Sequence, residues 1–254
     1  MKMLQTVLME KMTWPEIRRA LDDHVTTALV IGASIEQHGP HLPIETDTLL
    51  AYDTGERVAR RLGDALVAPV IRPGCSDHHL GLPGTLSLPR RVFEETLAHY
   101  AANLAGHGFR WIVLIPSHGG NNESIFSVAS TLKSHYAACG VGVFACHADT
   151  TDLRAQLLAQ AGLDNAVGGI HAGHTETSLM MAAFPQAVRR DEMKAGFLGE
   201  VDIARVHSEG VVSISPNGVF GDPRSANAEF GERLRDYHVD VLVEKIRQAR
   251  KLPM

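Results

Sequence analysis

The stretch GASIEQHGPHLPIETD, residues 32–47, carries three carboxylates and two histidines immediately after an apolar run. Carboxylate oxygens and imidazole nitrogens are the donor set of Zn, Mn and Fe(II), not of a thiolate-selected ion. Glu36 and His38 stand two residues apart, so in extended backbone they project to the same side. Asp47 follows where the chain after GPHLP can fold back over the strand end, a place from which one carboxylate can bridge two ions. A second apolar run ends in PSHGGNN and delivers His118, with Gly119 and Gly120 allowing the backbone close to a ligand. Each feature alone has a bland reading: HGG after a strand is usually a turn, and an isolated ExH is common. Together, carboxylates at a strand end facing a core are costly to desolvate unless something cationic meets them. Glu36, His38, Asp47 and His118 are therefore the expected metal ligands.

Two further segments carry chemistry. GGIHAGHTETSLMM brings His171, His174 and Glu176 to the start of a helix; Thr175 and Thr177 can be caps and Glu176 a favourable charge for the helix dipole. His171 and Glu176 are also expected as catalytic groups, His171 as proton donor and Glu176 as an additional ligand. PGCSDHHLGLPGTLSL sets Ser76, Asp77, His78 and His79 in a glycine-bounded loop suited to lining a pocket. Ser76, His79, Asn121 and His171 are the residues expected at the substrate. His24, His99, His107, His135, His207 and His238 stand alone and read as solvated or structural.

The elements that must position these residues follow from hydrophobic patterning. Continuous apolar runs at 27–34, 65–71, 110–117 and 141–148 suit strands covered on both faces. Between them lie helix-length segments at 46–62, 90–106, 122–138 and 150–161. A helix at 14–22 begins with Thr13 as cap and Pro15 in its first turn. Another starts at HTETSLMM and stops at Pro185, and a last one covers about 225–250. Gly196, Gly199, Gly210, Gly218 and Gly221 punctuate a loop-rich stretch expected as a lid or oligomer contact. This alternation predicts a layered α/β domain around a mostly parallel sheet. Open sheets of this kind bind ligands at the carboxyl ends of their strands, where Glu36, His38 and His118 converge.

With 254 residues, 44% hydrophobic, the chain can fold as one domain over 1–254. A net charge of -5 provides no basic footprint for nucleic acid or an anionic membrane surface. Cys75, Cys139 and Cys146 lack any CxxC spacing. The odd count and spacing argue against a disulfide framework or thiolate zinc site and favour a reducing compartment. No convincing signal peptide and no bilayer-length apolar segment are present, so a cytoplasmic location is expected.

GASIEQHGPHLPIETD, GLPGTLSL, PSHGGNN, HAGHTETSLMM and the late SANAEFGERL together resemble the creatininase (creatinine amidohydrolase) family, in that family's order and over most of the chain. The resemblance implies an α/β fold of the creatininase-like kind, a three-layer αβα sandwich with a mostly parallel central sheet, assembled as a homohexamer, with two divalent ions per subunit. It implies Glu36, Asp47 and His118 on one ion, His38 and Asp47 on the other, and His171 in substrate contact and proton transfer. Creatininase carries a glutamate two positions after the His118 equivalent; here Gly120 stands there, so either Glu176 supplies that carboxylate or the second ion is weakly held. Neither Trp14 nor Trp111 falls where creatininase has its substrate-pocket tryptophans, which argues against creatinine. The HGGN-type branch resembles relatives acting on formamides, an inosose ring and a cofactor precursor peptide.

These readings predict a metal-dependent amidohydrolase: metal-activated water hydrolyses a C–N bond of a small amide, cyclic amide or formamide. Two alternatives remain open at this point. His38, His118 and Glu36 could form a two-His-one-carboxylate site for Fe(II) and oxygen, or the protein could be a non-catalytic metal-binding scaffold.

Overall fold

The computed structural model describes residues 4–252. Its elements are α1 (Trp14–Asp22), β1 (Thr27–Gly32), α2 (Thr46–Leu62), β2 (Ala65–Val67), α3 (Arg90–His107), β3 (Trp111–Pro116), α4 (Asn122–Ala137), β4 (Gly142–Ala145), α5 (Thr151–Gln160), α6 (Asn165–Gly168), α7 (His174–Ala183), α8 (Ile203–Glu209) and α9 (Ala228–Ala249). The four strands form one parallel sheet in the order β2-β1-β3-β4. Every residue of β1 is buried, as a strand flanked by sheet on both edges and helices on both faces requires.

Two adjacent residues of β1 show how the layers are arranged. Consecutive strand side chains point to opposite faces. A Cβ on Gly32 would strike Phe93 of α3 and Ile125 of α4, whereas the Ile31 side chain reaches Gly55 of α2. α3 and α4 thus cover one face and α2 the other. α9 lies against α2 and is tied to it by the pairs Arg57–Glu232, Arg61–Asp240 and Arg235–Asp53.

The strands are shorter than the apolar runs that announce them. Pro69 has no N–H for the ladder, so regular pairing of the second run stops at Val67 and resumes only as an isolated bridge between Ile71 and Gly32. The last helix begins later than position 225, at Ala228, because the Asn227 side chain accepts from the Phe230 N–H at 2.9 Å and caps it. The stretch expected as loops contains α8, seven residues long, capped by Asp202 accepting from the Arg205 N–H. A helix so short spans about two turns and leaves too little periodicity to recognise.

α9 meets α7 most closely at Gly231, where an added Cβ would sit 1.9 Å from the Ser178 carbonyl oxygen. Gly231→Ala should therefore destabilise the protein by about 1–3 kcal/mol, although alanine is the better helix former by about 1 kcal/mol. A lowered midpoint in urea denaturation checks this; an unchanged or raised midpoint would contradict the close contact.

Candidate active site

β1 and β3 are neighbours in the sheet, with Gly32 opposite Pro116, so the chain leaving each strand enters the same space. Beyond β1, Gly39 takes a left-handed φ of +63°, and the Glu36 N–H closes the excursion by donating to the Ile44 carbonyl at 2.9 Å. The chain then starts α2 with Asp47 in its first turn, where the helix dipole favours a carboxylate. The Ser34 hydroxyl donates to Asp47 Oδ2 at 2.6 Å, and the Ser117 hydroxyl to the Asp47 carbonyl at 3.1 Å. Both strand ends thereby hold this one residue.

Three groups of donor atoms result, each with its atoms within 4.8 Å of one another: Glu36, Asp47 and His118; His38, Asp47 and Glu176; and Glu36, His38 and His171. Asp47 belongs to the first two. His118 Nδ1 stands 3.3 Å from Asp47 Oδ2, while His38 Nε2 stands 3.5 Å from both Asp47 Oδ1 and Glu176 Oε1. Among the described residues, His38 and His118 share no group, so the triad of His38, His118 and Glu36 is not assembled around one point.

Backbone contacts settle which nitrogen of each ring faces the cluster, because a carbonyl can only accept. His38 Nδ1 is 3.1 Å from the Glu36 carbonyl and His118 Nε2 is 3.2 Å from the Cys75 carbonyl, so those nitrogens donate. His38 Nε2 is left to face Asp47 and Glu176 and His118 Nδ1 to face Asp47, the arrangement that outer hydrogen bonds impose on metal-binding histidines, while His118 Nε2 also lies 3.3 Å from Glu36 Oε2. Two buried atoms at the centre, Glu36 Oε1 and His38 Nε2, have no hydrogen-bond partner.

The electrostatics are those of charges gathered out of water. Burial pushes the Glu36 carboxyl up to about 7 against the pull of His118. Burial opposes a charge on His118, yet Glu36 and Asp47 outweigh it and raise that ring to about 9. Burial likewise opposes the charge on Asp47, but His38 and His118 hold it well below the usual range. His171 goes the other way: burial, reinforced by the neighbouring His38, depresses it to about 3.

His171 donates from Nε2 to the Gln37 carbonyl at 2.8 Å, leaving Nδ1 3.7 Å from Glu36 Oε1. Gln37 Nε2 also meets His79 Nδ1 at 2.8 Å, which makes that nitrogen an acceptor and puts the His79 hydrogen on Nε2, 3.5 Å from Glu36 Oε1. Glu176 accepts from the Ala172 N–H at 2.6 Å, in a turn where Ala172 holds a left-handed φ of +52°. His79 and His171 line a cavity of about 350 Å³ that opens on Glu36 and His118.

Two residues expected at the substrate are engaged by neighbouring protein groups. Ser76 is fully buried and donates to Glu36 Oε2 at 2.6 Å, and Asn121, equally buried, joins the Cys75 N–H to the Ala33 carbonyl. Both brace the ligand-bearing loops, because buried polar groups take the nearest partners available. His207, read as a lone histidine, is carried by α8 into the cavity wall, its ring 5.0 Å from that of His78. Only the short Asp202-capped helix could have signalled it.

Gly120 leaves no room for a side chain: a Cβ there would lie 2.2 Å from the Cys75 carbonyl and 2.6 Å from His118 Nε2. Gly120→Ala should displace His118 and weaken metal binding roughly tenfold to a hundredfold, the range seen when a ligand's outer support is disturbed. Metal titration of the variant measures this, and unchanged affinity would contradict the tight fit. A carboxylate at position 120 is thus excluded sterically, and Glu176 stands 3.5 Å from His38 Nε2.

Comparison with known proteins agrees with this geometry. The sequence profile of creatininase, described as creatinine amidohydrolase, matches residues 10–246. The mycofactocin precursor peptide peptidase of Mycolicibacterium smegmatis is 34% identical, covering 91% of this chain and 88% of that protein. The creatinine amidohydrolase of Pseudomonas putida is 28% identical, covering 97% of this chain and 98% of that one. A solved structure described as creatininase Mn superimposes with a TM-score of 0.79 at 25% identity, over 96% of this chain and 98% of its own.

Proposed function

Because the chain belongs to the creatininase family, we propose that it is a hydrolase of a carbon–nitrogen bond that works with two divalent ions held in the cluster around Asp47. The observation that carries this reading is the pair of buried, partnerless atoms, Glu36 Oε1 and His38 Nε2, set among carboxylates that only a cation would make comfortable. Glu36, Asp47 and His118 would hold one ion and His38, Asp47 and Glu176 the other, with Zn, Mn and Fe(II) all compatible with such oxygen and nitrogen donors. When bound, such ions bring the pKa of a coordinated water toward neutrality and polarise a substrate carbonyl.

The protein's own groups supply the rest. Ser76 and Ser34 orient the Glu36 and Asp47 carboxylates through short hydrogen bonds. His79 presents Nε2–H to the site and donates to the carbonyl oxygen of the substrate. His171, whose hydrogen is held on Nε2 by the Gln37 carbonyl, accepts the water's proton at Nδ1. The water oxygen bonds to the carbonyl carbon, the C–N bond breaks, and His171 returns its proton to the departing nitrogen, giving a carboxylic acid and an amine. Asp47, which a three-residue Fe(II) site would leave over, is shared by both ligand groups here, and that favours hydrolysis over oxygen chemistry.

Elemental analysis tests the reading. Purified protein should hold about two divalent ions per chain, and Glu176→Gln about one, with slower hydrolysis of a panel of small amides and formamides. Protein that hydrolyses the panel after complete removal of metal by a chelator would overturn it.

A further inference from the structure

A second cavity of about 450 Å³ adjoins the one over the cluster, and Ile170, Ile203 and Phe220 border both. The wall between them is the segment that fixes His171: the Phe220 carbonyl accepts from the Ile170 N–H at 3.0 Å, and His171 and Phe220 form a bridge. Ile170, Leu198 and Ile203 surround this region and are 56%, 44% and 51% exposed. Arg154 of α5 enters the lining from one side, with Nη1 donating to the Gly169 carbonyl at 3.0 Å. Its Nε is buried and has no hydrogen-bond partner. Among the described residues, no carboxylate approaches Arg154 within 4.0 Å; Glu200, on the same cavity, is exposed and does not reach it.

An arginine left without an acid, beside a cavity whose border with the site is apolar, is matched by a ligand that is apolar along its length and anionic at its tip. A guanidinium offers donors in a planar fork that suits a carboxylate. Resting on the hydrolase reading above, we infer that the substrate is an amide bearing a carboxylate, which Arg154 binds, joined to the scissile carbonyl by an apolar arm lying along Ile170, Ile203 and Phe220. Arg154 is then a specificity determinant, remote from the reacting atoms. Its cavity admits a carboxylate-ended chain and discriminates against a neutral molecule of the same length, because a carboxylate accepts charge-assisted hydrogen bonds from the guanidinium that an ester does not.

The test uses metal-loaded protein and a series of straight-chain hydroxamic acids of increasing length, whose hydroxamate anchors on the ions. Each chain ends either in a carboxylate or in its methyl ester, and binding is read by calorimetry. At the matching length, the acid should bind roughly tenfold to a hundredfold more tightly than the ester, the usual worth of a charged hydrogen bond. Arg154→Gln should abolish that difference while leaving the ester's affinity unchanged, which also shows that the variant is folded; Arg154→Lys should keep part of it. Ile203→Ser should weaken acid and ester alike. Equal binding of acid and ester to the unaltered protein, or an advantage that survives Arg154→Gln, overturns the inference. If no member of the series binds at any length, the metal reading itself fails, and this inference with it.

Discussion

Asp47→Ala should lose both ions and nearly all hydrolysis together. Asp47 is the one side chain common to the Glu36–His118 and His38–Glu176 groups, and it is anchored from both strand ends. Removing it would take a ligand from each proposed ion and leave Glu36, His38 and His118 facing one another with no shared anion. The rate should fall by roughly a thousandfold or more, corresponding to the several kcal/mol of transition-state stabilisation a catalytic ion contributes. Asp47→Asn is the sharper variant, because its amide oxygen can still accept from Ser34 and the fold is preserved. Elemental analysis and turnover measured on the same preparation check the pair. An Asn variant that keeps two ions, or a metal-free one that still turns over, would remove Asp47 from the centre of the site.

His171→Asn should separate chemistry from metal binding. Its Nδ1 faces the cluster while Nε2 is committed to the Gln37 carbonyl, so the ring is oriented for proton transfer and kept neutral by burial. Turnover should drop by roughly a hundredfold to ten-thousandfold, the usual range for a general acid–base group, with metal content unchanged. Because His171 also forms a donor group with Glu36 and His38, there is a clear opposing outcome. If an ion disappears along with the ring, His171 is a ligand and the proton carrier must be sought elsewhere, with His79 the nearest alternative.

The sequence alone was enough to announce the parallel sheet and the charged cluster at its edge. Buried parallel strands must be apolar along their whole length, so β1 and β3 were visible as runs, and the acidic and imidazole residues just beyond them break that pattern sharply. Glu36, His38, Asp47 and His118 were legible for this reason: hydrophobic burial writes the strand, and charge at its end marks an exception. What the sequence could not place were the contacts of Ser76 and Asn121. A serine or asparagine in a loop has the same appearance whether it touches a substrate or braces a neighbour, and only the three-dimensional distances, 2.6 Å from Ser76 to Glu36 and 2.9 Å from Asn121 to each of its two backbone partners, tell them apart.

Tertiary structure alone decided the matters that depend on segments far apart in the chain meeting. His207 looks solitary until α8 lays it against His78, and Arg154 resembles any helical surface arginine until Gly169 and the neighbouring cavity enclose it. Gly120 could have been a mere turn glycine; the Cys75 carbonyl pressed against it is what bars a side chain there. Local patterning reports what each segment buries, since burial is a property of spacing along the chain. Which groups end as partners is set by packing between segments, and no periodicity records it.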